Sequence, residues 1–292
     1  MAEAPADPAA EAREAAALAA LMEAARRRQR EAGDASPLPP RFLLESARSM
    51  AAHMGMSEAR MREALGEMAL WQLFLPAALG AQTWDFAAVR ERTPWSYRRL
   101  RAALEPLRAR PQVATAVFHM AGFPLVCALV GAAWRELHDG PLHLLVARRN
   151  LGWFRLGANR WVGEASEILD TSPAGLRRLM AGLRSGSIRR LLILADGPQA
   201  PGPAGVRALG GVSPSLGIRT GLLARLHGLG VPLAPITHEW EAGRLVVTPR
   251  PVLDPATVDR SGAIDAVAGR LEDLLRRRPE QWLNWSAARI RT

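Results

Sequence analysis

The sequence contains no lysine: all 38 of its basic residues are arginine. That removes a phosphate-binding P-loop, whose glycine-rich turn needs a lysine to reach the phosphates. Cysteine is reduced to one, Cys127, inside an apolar run. One cysteine excludes an intramolecular disulfide framework and a thiolate metal cluster, and suits a reducing cytoplasm. A nucleophile elbow of the Gly-x-Ser-x-Gly type is missing, because GVSPS places Ser215 where the second glycine belongs. GLGVPL leaves a helical pattern and enters a strand, the reverse of a dinucleotide fingerprint. No zinc-finger spacing or RNA-binding signature occurs, and aromatics are not interleaved with the arginines, so nucleic acid is not an expected partner. A clean membrane span is lacking too. The uncharged stretch Met68 to Trp84 is short and carries Pro76, and Pro111 to Trp134 is broken by His119 and Gly122-Phe123-Pro124. The first 33 residues carry acids early and place their basic cluster after the apolar part, which does not fit a signal peptide.

What is present is a chain of 292 residues, 49% hydrophobic, with a net charge of +10. That is enough for a large core without covalent staples. The arginines concentrate in RRRQR at 26 to 30 and RRR at 276 to 278. Such clusters are either solvated helix faces or contacts for an anionic membrane surface or an acidic carrier protein.

Three regions follow from the texture. Residues 1–40 are rich in Ala, Glu and Arg and end in GDASPLPP, which reads as a flexible or frayed-helix leader closed by prolines. Residues 41–110 repeat apolar positions at spacings of three and four, a helical region whose TPWSY stretch opens with Thr93 before Pro94. Residues 111–292 alternate short apolar strands with helices: VATAVF, a helix from about Met120, PLHLLVA, a helix at 173 to 185, IRRLLILA, a helix at 214 to 228, VPLAPIT, GRLVVTPRPV and a final amphipathic helix. The fold class expected is therefore α/β, a mixed sheet flanked by helices and preceded by a helical N-terminal region.

Two places invite chemistry. His119 stands where VATAVF ends and a helix begins, the edge of an open α/β sheet where sites collect. Asp196 ends another apolar strand and runs into the Gly- and Pro-rich loop DGPQAPGPAG. Each has an ordinary explanation, a hydrogen-bonded histidine and a turn-forming aspartate. His138, Asp139 and His143 fit no strong metal-site spacing and are expected to be hydrogen-bonded surface groups.

The order of FHMAGFP, VARRN, LADGPQAPGP and RRRPEQWLNWSAARIR resembles that of the lipid A secondary acyltransferases, the lauroyl and myristoyl transferases of the lysophospholipid acyltransferase superfamily. The likeness spans roughly residues 110 to 292, and PEQWLNW at Pro279 to Trp285 is its most specific part. It implies a glycerolipid-acyltransferase-like fold and transfer of a fatty acyl group from an acyl carrier protein or coenzyme A thioester to a lipid or other hydroxyl or amine. It also implies His119 as general base, Asp196 as a second catalytic group, and Arg148, Glu280, Gln281 and Trp282 as substrate-binding residues, with no bound cofactor or metal. The location implied is cytoplasmic, peripheral on an anionic inner-membrane surface. The chain departs from the family pattern at two positions: Pro124 stands five positions after His119, where an acid should orient the imidazole, and Ser286 stands where a histidine is expected. Asp196 and a backbone carbonyl are the candidates to replace that acid. An inactive homologue that binds an acyl chain, an acyl carrier protein or a partner enzyme is the other reading of these departures. His53 has Glu58 five positions on, but lies in the helical region with no strand before it.

Overall fold

A computed structural model of the chain describes residues 7–35, 40–82, 84–147, 166–199 and 204–288. Its centre is a sheet built from β1 (Val113–Val117), β2 (Leu142–Val146), β3 (Ser166–Asp170), β4 (Arg190–Leu194), and two later strands, Leu233–Glu241 and Arg244–Pro249. Three short strands, β5 (Pro198–Gln199), β6 (Val206–Ala208) and β7 (Gly217–Arg219), form a separate antiparallel sheet, so the later pair are β8 and β9. The large sheet runs β3-β2-β4-β1-β8-β9, parallel throughout except for β9, which returns against β8 as a hairpin.

The central strands are mostly apolar and buried along nearly their whole length because both faces are covered. In β1 alternate residues go to opposite layers: Val113 and Val117 join one hydrophobic cluster, Ala114 and Ala116 the other. The first layer holds α1 (Pro8–Ala35), the helix pair α5 (Phe86–Arg92) and α6 (Pro94–Leu104), and α7 (Phe123–Leu137). The second holds α2 (Arg41–Met54), and α8 (Pro173–Ser185), α9 (Gly221–Gly228) and α10 (Arg260–Arg277). Residues Phe123 to Trp134 of α7 are buried all round, as expected for a helix held between the sheet and other helices. At Gly131 a side chain would collide with the Phe86 ring, so the missing Cβ sets how closely α5 approaches α7.

The predicted α/β class with flanking and N-terminal helices agrees with this architecture. Ser172 caps α8 by accepting the Gly175 N–H, and Gly186 ends it in the left-handed conformation. Two expectations need correction. The helix placed at 214 to 228 begins only at Gly221, because residues 217 to 219 pair between β5 and β6 as a strand. The leader is a 28-residue helix rather than a frayed segment. Its Leu18, Leu21, Met22 and Ala25 are buried in the first layer, and its buried Glu14 accepts hydrogen bonds from Ser96 N at 2.8 Å and from Ser96 Oγ. Ser96 lies in the first turn of α6, whose free N–H groups need an acceptor. Thr93 does not supply one, since its hydroxyl donates back to Val89 O at 2.6 Å. Glu14 does so from 82 residues away.

The uncharged stretch near Met68 runs on through Pro76. α3 (Glu58–Ala69), a π-helical turn at Leu70–Phe74 and α4 (Leu75–Ala81) form one continuous helix. The widened turn ends two residues before Pro76, whose missing N–H and ring disturb the preceding turn of an ordinary helix. Among the described residues this is the one helix long and apolar enough to cross a membrane, by length and composition only; 33% of its apolar window is buried in the fold.

Candidate active site

His119 and Asp196 meet because of strand register. β1 and β4 are parallel neighbours with Val117 opposite Leu194. Both strands end there, and the residues two positions beyond each end are His119 and Asp196. Ala195 N donates to Val117 O at 2.9 Å, which keeps the chains in step past the sheet edge. His119 Nδ1 then lies 2.7 Å from Asp196 Oδ1, and the His119 backbone N–H donates to Oδ2, also at 2.7 Å.

The carboxylate is fully buried and held by a third donor, Trp282 Nε1 at 2.7 Å from Oδ2. Burial by itself pushes the Asp196 carboxyl upward, but the charge of His119 and these donors outweigh it and hold the group below the usual aspartate range. Asp196 therefore stays ionised and accepts the Nδ1 proton. That assigns the imidazole the tautomer with a lone pair on Nε2. The His119 side chain is 16% exposed, and Nε2 has no hydrogen-bond partner among the described residues.

A tail segment, Pro279 to Ala288, closes the back of the pair. Met120 forms an isolated bridge with Trp282, and Leu283 N donates to His119 O at 2.8 Å. Asn284 Nδ2 donates to Asp196 O at 3.2 Å; its 2.9 Å approach to His119 Nδ1 makes no hydrogen bond in this tautomer, whose Nδ1 proton goes to Asp196. Gln281 is buried, its amide oxygen accepting Trp240 N at 2.8 Å and its amide nitrogen donating to Trp240 O at 2.7 Å. At the far end, Ser49 Oγ and His53 Nε2 both reach Ala288 O, at 3.0 and 2.7 Å. His53 thus fastens α2 to the tail, with Ser213 and Ser215 at its other nitrogen. Buried His238 on β8 lies 3.4 Å from Met120 O, and burial pushes it down to about 4, so it is neutral and adds no competing charge.

His119 opens onto a cleft of about 640 Å³ walled by Leu145, Leu176, Met180, Ile193, Leu222 and Leu223. Asn284 also lines it. The other expected site residues fall elsewhere. Trp282 and Gln281 are buried and are not in the described lining of the cleft; they bond Asp196 and β8. Glu280 is half-buried away from it, its carboxyl raised by burial. Arg148 lies outside the described residues. Pro124 is buried in the first turn of α7, so the side of the imidazole expected to meet an acid there meets Asp196. His138 closes a turn by accepting Gly140 N–H at 2.8 Å, and His143 lies 3.4 Å from Glu167, so the two do not form one cluster. RRR at 276 to 278 is engaged in ion pairs with Glu272, Asp273, Glu239 and Glu241.

Asn284 carried no signal beyond its place in PEQWLNW, and the anchoring role of His53 none at all, since its partners come from more than 150 residues away. No protein-family model matches the chain, and a search of curated proteins finds no match.

Proposed function

We propose that the protein is an acyltransferase that moves a fatty acyl group from an acyl carrier protein or coenzyme A thioester to a lipid or other hydroxyl or amine acceptor. The observation that carries this reading is the hydrogen-bonded His119–Asp196 pair, with His119 lining a cleft whose walls are largely apolar. Nε2 takes the acceptor's proton as its oxygen or nitrogen attacks the thioester carbonyl carbon. The tetrahedral intermediate collapses with cleavage of the C–S bond, and the imidazolium returns the proton to the departing thiolate. Asp196 keeps the working tautomer and offsets the imidazolium charge, the part that the family pattern gives to the acid missing at Pro124. The apolar walls hold the chain, each buried methylene contributing about 0.8 kcal/mol. An anionic membrane surface is the proposed place of action, reached through the exposed arginines 26 to 28 and 30 of α1.

The test incubates purified protein with acyl carrier protein and coenzyme A thioesters and a whole-cell lipid extract, reading products by mass spectrometry. Wild type forms an acylated product, and His119→Ala, with an unchanged thermal melt, forms none. Equal product from folded His119→Ala removes the catalytic reading. If wild type forms no product yet still displaces a bound fluorescent fatty acid from the cleft, the inactive, chain-binding homologue is the correct reading.

A further inference from the structure

Two cations on the cleft wall take no part in the chemistry above. Arg219 ends β7, and its backbone N–H donates to the carbonyl oxygen of Gly197, the neighbour of Asp196, at 2.9 Å. Its Nε is committed to Gln199 Oε1 at 2.6 Å, which steadies the guanidinium and leaves both terminal nitrogens open. Arg225 projects from the second turn of α9. Both are exposed, both line the cleft, and neither has a carboxylate partner among the described residues. The described lining contains no Asp or Glu. This differs from the basic end of α10, where each arginine has an acid beside it.

Two guanidinium groups that have no acid partner among the described residues and flank an apolar trough match a ligand with an apolar arm and a compact, multiply charged oxyanion. A phosphate has enough oxygens for both arginines at once, through charge-assisted and bidentate bonds. We propose that Arg219 and Arg225 form a phosphate-binding subsite of this cleft, seating the phosphate group of a substrate whose acyl-bearing part runs toward His119. The proposal rests on the reading that acyl-transfer substrates occupy the cleft. The phosphate comes either from the phosphopantetheine arm of the donor or from a phosphorylated acceptor, and the two sources are separable.

Isothermal titration of the full-length protein compares 4′-phosphopantetheine with pantetheine, and glycerol 3-phosphate with glycerol; each pair differs only in the phosphate. The phosphorylated member of at least one pair binds about tenfold tighter, the size of one good charge-assisted contact. The first pair identifies the donor as the source and the second the acceptor. Arg219→Ala/Arg225→Ala reduces the preference to within about twofold, while Arg48→Ala/Arg60→Ala, which removes the same charge from exposed positions of α2 and α3 outside the cleft, keeps it. Neither change should lower the melt appreciably, since exposed charges contribute little to stability. No preference in wild type, or equal loss in both double variants, overturns the subsite. Binding is read without turnover, so a preference in a protein that transfers nothing counts against the acyltransferase and not against the subsite. Transfer without a preference does the reverse.

Discussion

Replacing Asp196 by Asn tests the site most directly, because it keeps the shape and removes the charge. The Asp196 carboxylate receives three hydrogen bonds, two on Oδ2 from His119 N and Trp282 Nε1 and one on Oδ1 from His119 Nδ1. An asparagine that keeps its oxygen at the Oδ2 position satisfies the first two. Its NH2 group then faces His119 Nδ1 at 2.7 Å, a clash of donors unless the imidazole gives up the Nδ1 proton. The ring moves to the other tautomer, with the proton on Nε2, and Nε2 can no longer act as base. The structural loss is modest: one charge-assisted network becomes neutral, about 1–3 kcal/mol. The catalytic loss is large. In serine hydrolases the same substitution costs on the order of 10⁴ in turnover. The assay pairs acyl-transfer rates with a thermal melt and 15N shifts of the labelled imidazole. Expected are a folded protein, a tautomer change and a rate down by about three to four orders of magnitude. A folded Asp196→Asn protein within about tenfold of wild type, with the Nδ1–H tautomer retained, would refute the argument that this carboxylate sets the base.

Other outcomes follow from the same contacts. Asp196 is held below its unfolded value, so the stability it contributes is present above about pH 4 and lost as pH falls through the lower folded value; subtracting the Asp196→Asn melting curve from wild type should show that contribution vanish only on the acid side. Pro124→Glu puts a carboxylate into a buried first turn while Asp196 already bonds the imidazole, so the melt should fall and, on the proposed function, transfer should not rise. Gly122 has φ 78°, and a Cβ there would lie 2.7 Å from Trp240 Nε1; Gly122→Ala should cost about 1–3 kcal/mol in denaturant melts and slow transfer, since the residue leads out of the His119 turn. Buried Arg190 donates to the carbonyls of Arg108, Arg110 and Arg189 and stacks 4.6 Å from the Trp134 ring, so Arg190→Ala should cost about 3 kcal/mol in urea unfolding at neutral pH, where a group pushed down to about 10 is still charged.

Much of the α/β half was legible because its signals are local. Apolar runs such as LLIL mark strands buried on both faces, and Ser172-Pro173 with Gly186 marks both ends of a helix. Where the decisive partner is distant, the reading failed. Residues 8 to 35 look like a weakly apolar, charged leader until α4, α5 and α6 cover them, and the acceptor for the start of α6 is Glu14, which local sequence cannot indicate. The strand at 217 to 219 has the same cause: three residues too few to show a period, made extended by pairing with β5 and β6.

The site divides in the same way. Residue types and strand ends mark His119 and Asp196 separately, and nothing local ties one to the other, because the tie is the register of β1 on β4. Each residue of β1 is opposite the residue 77 positions later, and His119 and Asp196 keep that offset past the sheet edge. A one-residue slip of this pairing would move Asp196 about 3.3 Å along the strand and turn alternate side chains to the wrong layer. The slip is opposed by the core itself: Leu192 would leave the α7 layer and Leu191 and Ile193 the α8 to α10 layer. The packing that stabilises the sheet thus also fixes the distance between base and carboxylate. The tail adds a second constraint, since Trp282 and Asn284 reach Asp196 only while Gln281 is locked to Trp240 and Ala288 to His53. In this light PEQWLNW is a structural clamp that holds the pair, and Asn284 is its one residue in the described lining of the cleft.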